Sequence, residues 1–136
     1  MKFDQLRTFI QQLASEFDVR ECAVDRWRGK QLMSALSEDG LNVVEVAPTL
    51  VNIAPAASAL ERLLKEGKLR HANHPILAWN ASNAVADVDA VGNVRPSKVR
   101  SGGRIDGIAA LCLALVRALA QPQFRSVYEH RGALIL

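Results

Sequence analysis

Val19-Arg20-Glu21-Cys22-Ala23-Val24-Asp25, the segment from Gln31 to Glu38, and Val43-Val44-Glu45-Val46 together decide the architecture of this chain. The first segment turns apolar just before an acid and favours extended backbone, so it reads as a buried strand whose last residue is Asp25. It runs through Arg26-Trp27-Arg28-Gly29-Lys30 into a segment with Leu32, Met33 and Leu36 on one helical face. That helix stops at Asp39-Gly40, where glycine supplies a left-handed cap. The third segment is a β-branched run closed by Pro48. Strand, helix, strand predicts two neighbouring parallel strands in an α/β fold. A parallel pair is normally buried on both faces and flanked by further strands, so the sheet is expected to lack part of itself.

On the N-terminal side, Phe3, Leu6, Phe9, Ile10, Leu13 and Phe17 recur at helical spacing and predict an amphipathic opening helix. On the C-terminal side, Ile53, Ala57, Leu60, Leu63 and Leu64 form another helical stripe ending at Gly67, with Pro55 expected in its first turn. His74-Pro75 opens a further helix through Asn83, with Asn73 or His74 as its cap. Val85 to Asp89 and Val94-Arg95 predict a β-hairpin, the Gly92-Asn93 pair supplying positive φ at the turn. Pro96 to Gly103 is polar and basic and reads as loop. Arg104 to about Ala120 is apolar on several faces, which predicts a central, largely buried helix. Residues 1–120 are expected to form the folded unit, and 121–136 a tail that is at least partly disordered. There is no internal repeat or low-complexity tract.

Composition narrows the function classes. The 136 residues are 49% hydrophobic and 23% charged, the profile of one soluble globular unit. A net charge of +3 and a pI near 9.2 permit a polyanionic partner. The longest apolar run, Ile108 to Val116, is nine residues, against the roughly 18–20 that cross a bilayer, and no signal peptide opens the chain. Cys22 and Cys112 sit in apolar runs without metal-ligand spacing, so both read as buried thiols of a reducing compartment. These features predict an intracellular protein with no membrane association.

The chemistry-bearing residues are Asp25, at the mouth of a strand, and Asp106, opening a helix in Arg104-Ile105-Asp106-Gly107. Ligands collect at the C-terminal ends of strands in α/β sheets, and an acid in a helix's first turn is favoured by the macrodipole. If that helix points its N-terminus at the strand mouth, two carboxylates converge to hold hard divalent cations, Mg2+ or Mn2+. Turn and capping chemistry alone also place aspartate at such positions. Gly107 is costly in a first helical turn unless something approaches its backbone closely. Asp87 and Asp89 flank the hairpin and read as solvated, turn-proximal acids. His71 fits either a phosphate contact or a half-buried, hydrogen-bonded histidine, while Trp27 and Trp79 fit core packing better than base stacking. Arg26, Arg28, Lys98, Arg100 and Arg104 flank the two acids in sequence and could form a cationic DNA groove, although a charge run is also what an ordinary solvated face shows.

From Phe3 to about Ala120 the chain resembles the latter part of the ribonuclease H-like nuclease domain of phage terminase large subunits. The resemblance rests on pieces in the family's order. They are the opening helix; Val24-Asp25-Arg26-Trp27; Gln31-Leu32-Met33 with Asp39-Gly40; Glu61 to His71; His74-Pro75-Ile76-Leu77-Ala78-Trp79; Gly92-Asn93-Val94-Arg95-Pro96-Ser97-Lys98; and Arg104-Ile105-Asp106-Gly107-Ile108-Ala109-Ala110-Leu111. It implies a truncated ribonuclease H-like fold and a metal-dependent endonuclease cutting double-stranded DNA during phage genome packaging in a bacterial cytoplasm. Asp25 matches the fourth-strand acid and Asp106 the acid of the last helix. The family's first catalytic Asp lies on a strand before the opening helix, and its ATPase domain further upstream. Neither has a counterpart here, and no phosphate-loop motif occurs. The resemblance therefore also implies other terminase subunits, a missing N-terminal segment or a second copy of the chain as partners. It leaves open a catalytically silent remnant that binds DNA or assembles, unless an acid such as Glu21 or Asp87 substitutes for the missing ligand.

Overall fold

The computed structural model describes residues 3–25 and 29–120. Arg26, Trp27, Arg28 and the tail expected at 121–136 lie outside the described residues. Among the described residues, five helices and four strands follow in the order α1 (Phe3–Glu16), β1 (Cys22–Asp25), α2 (Lys30–Glu38), β2 (Val43–Val46), α3 (Leu50–Lys65), α4 (Pro75–Asn83), β3 (Ala86–Val88), β4 (Val94–Pro96) and α5 (Asp106–Ala120). β1 and β2 pair in parallel with Cys22 opposite Val43 and Asp25 opposite Val46, as the α/β reading requires. β1 covers only the last four residues of the predicted segment. β3 and β4 form the antiparallel hairpin, Asp87 facing Arg95.

The core is built where α3 lies along α5. Ile53, Ala56 and Leu60 of α3 bury against Cys112 of α5, with Leu111, Leu115 and Val116 packed around them. Alanines at 54, 56 and 59 keep the buried face of α3 shallow, so the two backbones approach closely. Ala35 and Leu36 of α2 and Val46 of β2 are also buried, and α2 packs against β2. Leu36 is completely buried, and removing a leucine side chain from water contributes about 1.5–3 kcal/mol. α1 packs on α2 through its half-buried apolar stripe, and the Arg7 Nε donates to Asp39 Oδ2 at 2.7 Å to pin the pair.

Several local expectations need correction. α3 begins at Leu50, capped by the Thr49 hydroxyl accepting from the Asn52 amide, so Pro55 falls one turn inside the helix rather than in its first turn. The backbone donor it lacks would have met the carbonyl of Val51, an exposed residue that water can reach. At the hairpin turn only Gly92 has positive φ (+88°); Asn93 instead donates, from its backbone and side chain, to the Asp89 carboxylate. His74 caps α4 without a side-chain hydrogen bond. α5 is not a largely buried central helix: Cys112 is its one buried residue and Leu119 is 49% exposed. Among the described elements α3, α4 and β1 make the main contacts with α5, and a two-stranded sheet offers little area to bury it. Among the described residues, no helix is long and apolar enough to cross a membrane.

Candidate active site

A long-range ion pair fixes the direction of α5 relative to β1. Glu21, immediately before β1, accepts two hydrogen bonds from the Arg117 guanidinium near the end of α5, at 2.7 and 3.2 Å. At the opposite end of β1, Asp25 shares a cleft with Ile105 and Ala109, at the start of α5. The strand advances about 13 Å from Glu21 to Asp25 and the helix about 16 Å from Asp106 to Arg117. The two elements therefore run antiparallel with matched lengths, and the N-terminus of α5 lies at the mouth of β1.

The cleft at that end has a volume of about 700 Å3. Its floor is apolar, made by Ile53, Cys112 and Leu113, and its polar wall carries Asp25, Asp87, Arg95, Ser97 and Lys98. Asp106 is not itself among the lining residues; its exposed carboxylate is tied to one of them, accepting from Lys98 Nζ at 3.0 Å. The Lys98 hydrogen bond, reinforced by its charge and that of Arg104, holds the Asp106 carboxyl below the usual carboxylate range. So the strand-end acid lines the cleft, while the helix acid borders it through Lys98 and Ile105.

The basic candidates divide. Lys98 lines the cleft, and Arg100 Nη1 donates to Asp87 Oδ1 at 3.2 Å. Arg104 is exposed beside Asp106. His71 is exposed and its Nδ1 accepts from the Asn73 amide at 3.2 Å, steadying a turn in which Ala72 and Asn73 adopt φ of +48° and +50°. It is not among the residues lining the cleft. Arg26 and Arg28 lie outside the described residues. Trp79 is half exposed rather than core.

Asp87, expected as a solvated acid or as a substitute ligand, is half-buried in the cleft wall. Hydrogen bonding from Ser97, then Arg100, lowers its pKa. The signal that could have found it is the cross-strand match of Asp87 with Arg95 within a hairpin. Asp89 does serve the turn, accepting from the Val91 and Asn93 amides. Glu21, an alternative acid for the site, is committed to Arg117.

Among the described residues no three His, Cys, Asp or Glu side chains come together as a metal cluster. Asp25 and Asp106 are nevertheless the donor type that Mg2+ and Mn2+ accept. Mg2+ commonly takes only one or two carboxylates, completing its shell with water and phosphate. The open, polar side of the cleft suits that chemistry better than a closed all-protein cage. Cys22 and Cys112 are free thiols, and burial pushes both upward in pKa, away from reactivity.

Comparison with known proteins agrees with this architecture. The large terminase subunit of Enterobacteria phage HK97 is 36% identical over 108 residues, covering 78% of this chain and 21% of its own length. Protein YmfN of Escherichia coli strain K12 is 28% identical over 115 residues, covering 82% of this chain and 25% of its own length. The crystal structure of the HK97 large terminase superposes with a TM-score of 0.77 at 33% identity, over 86% of this chain and 25% of that one. The chain thus spans a fifth to a quarter of the length of these relatives, and its structural match to the HK97 protein falls in the ribonuclease H-like nuclease domain. The family described as terminase large subunit, endonuclease domain, matches residues 1–122, and this chain belongs to that family.

Proposed function

We propose that this chain carries part of a metal-dependent endonuclease site for double-stranded DNA, acting in phage genome packaging. Asp25 and Asp106 are its ligands for Mg2+ or Mn2+. The observation that supports this reading best is the antiparallel placement of β1 and α5, which puts the strand-end acid and the helix-start acid at one end of the molecule. A bound divalent cation would polarise a phosphodiester and activate water there.

The chain's own residues supply the rest. Asp25 presents its carboxylate from a strand end held in register by β2. Lys98 balances Asp106 and can turn to a phosphate oxygen, and Arg104 and Arg100 extend the cationic rim. Arg26 and Arg28 follow Asp25 in sequence and join this rim in our reading, as does His71 as a more distant phosphate contact. The partners are duplex DNA and other terminase subunits, and the setting is the cytoplasm of a bacterial host. Residues 1–120 form the nuclease unit.

A second reading is favoured by one observation. Among the described residues no third metal-binding side chain joins the two acids, and β1 pairs with β2 alone. The chain then binds DNA or assembles without cutting, unless another segment or a second copy completes the sheet and adds a carboxylate. Plasmid cleavage with Mn2+ separates the two. The enzyme reading requires nicking or linearisation that Asp25→Asn and Asp106→Asn each abolish. Retained duplex binding without mutation-sensitive cutting leaves only the binding module.

A further inference from the structure

α5 begins without a cap of its own. Its first backbone bond runs from the Ala109 amide to the Ile105 carbonyl at 3.0 Å, which makes Ile105 the N-cap residue, and an isoleucine has no side-chain oxygen to offer. The missing acceptor comes from another helix. Asn80 of α4, only 5% exposed, receives the Gly107 amide on its Oδ1 at 2.8 Å, while its Nδ2 donates to the Ile76 carbonyl at 3.0 Å. One turn along α4, Asn83 Nδ2 donates to the Arg104 carbonyl at 3.4 Å. The two asparagines thus hold the chain on both sides of Asp106, at the 104 carbonyl and the 107 amide.

The glycines in this segment fit the same arrangement. A Cβ on Gly107 would lie 3.3 Å from Asn80 Oδ1, and one on Gly103 would lie 2.7 Å from Asn83 Nδ2. The close backbone approach that a first-turn glycine demands is therefore the approach of α4. A buried amide with both ends satisfied is stiff, because losing either bond would leave a desolvated polar group.

We infer that Asn80, assisted by Asn83, is a positioning residue for Asp106, fixing the first turn of α5 so that the carboxylate is presented to a divalent cation at the cleft rim. This rests on the assignment of Asp106 as a metal ligand. Outer partners that orient a ligand typically change metal affinity by about 10- to 100-fold when removed.

The test uses the full chain and Mn2+ alone, with free Mn2+ counted by electron paramagnetic resonance and the Gly107 amide followed by NMR. Asn80→Leu keeps the volume and removes the acceptor, and Asn80→Asp keeps the acceptor. Asn80→Ala accompanies them should the leucine disturb the helix pair. The expected result is a fall in Mn2+ affinity of about 10-fold in the leucine and alanine variants. Asn80→Asp, which keeps the acceptor but gives up the Nδ2 donor to the Ile76 carbonyl, loses less than they do, and the Gly107 amide shifts furthest in the variants that lost the acceptor. The inference is overturned if Asp106→Asn weakens Mn2+ binding while Asn80→Leu and Asn80→Ala leave it unchanged, or if Asn80→Asp loses as much as they do. If Asp106→Asn leaves Mn2+ binding untouched, the metal assignment itself fails and the positioning role goes with it.

Discussion

Glu21 and Arg117, 96 residues apart in sequence, form a two-point ion pair that joins the base of β1 to the last turns of α5. Both side chains are largely covered, and the fork geometry gives direction as well as attraction. Such a pair differs from the exposed Lys65–Glu61 bridge along α3, where water screens both partners. Arg117→Met retains the apolar stem and removes the fork, leaving the Glu21 charge half-covered. Its thermal midpoint should fall clearly below that of Lys65→Met, which should stay close to the parent. Equal shifts in a calorimetric comparison would show that the long-range pair orients nothing.

Gly29 lies at the start of α2, where a Cβ would come 2.1 Å from Val24 Cγ1 and 2.9 Å from the Asp25 carbonyl oxygen. Its backbone φ of −105° is open to any residue, so the constraint is space rather than conformation. Gly29→Ala should therefore destabilise by about 1–3 kcal/mol, the usual range for overpacking, and should displace the strand end that carries Asp25. Gly102→Ala is the matched control, because nothing lies within 4 Å of a Cβ there. It should stay within about 0.5 kcal/mol of the parent. Urea midpoints for the two variants check the contrast, and coincident midpoints would remove the steric argument.

What the sequence discloses depends on whether the information is local. β2 could be read to the residue, because Val43-Val44-Glu45-Val46 is a β-branched run with a proline stop. The end of α2 was equally plain, since Gly40 takes the left-handed conformation its cap needs. The start of α3 is harder to read, because a proline is expected only in a first turn, whereas the Thr49 hydroxyl makes the true cap and Pro55 lies a turn further in. Burial of α5 was overestimated because an apolar composition says nothing about how much sheet is present to cover it. At the site, Asp25 could be placed at a strand end and Asp106 at a helix start, because both positions follow from local pattern. Glu21 with Arg117, and Asn80 with Gly107, could not, because each contact exists only after distant segments meet. The surroundings of Asp87 are equally illegible in sequence, because Arg95, Ser97 and Arg100 close around it only in the folded chain.

The α1–α2 pair should be one acid-sensitive part of the fold. Hydrogen bonding from Arg7 holds the Asp39 carboxyl below its ordinary value of 3.8. A group whose folded pKa is depressed contributes stability that is complete above the unfolded value and is lost as pH falls through the folded one. Stability should thus be flat near neutrality and decline below about pH 4. Asp39→Asn should flatten part of that decline while lowering stability at pH 7. Denaturant midpoints measured from pH 7 to pH 3 check both signs, and an unchanged acid slope in Asp39→Asn would place the sensitivity elsewhere.

Binding to duplex DNA should report which cations face the cleft. Each phosphate contact releases counterions, so the logarithm of affinity falls linearly with the logarithm of salt, by about 0.9 per contact. Lys98 lines the cleft and Arg104 stands beside Asp106, so alanine at either position should reduce that slope by about 1 without altering sequence preference. Arg100 is held against Asp87. Asp87→Ala frees Arg100 and Arg95 together and should strengthen low-salt binding, while Lys65→Ala, in an exposed bridge on α3, should leave the slope unchanged. Fluorescence anisotropy titrations across a salt series on two unrelated duplexes make the comparison. If Lys98→Ala and Lys65→Ala give the same slope as the parent, the cationic rim is an ordinary solvated face, and DNA must approach the acids from another side.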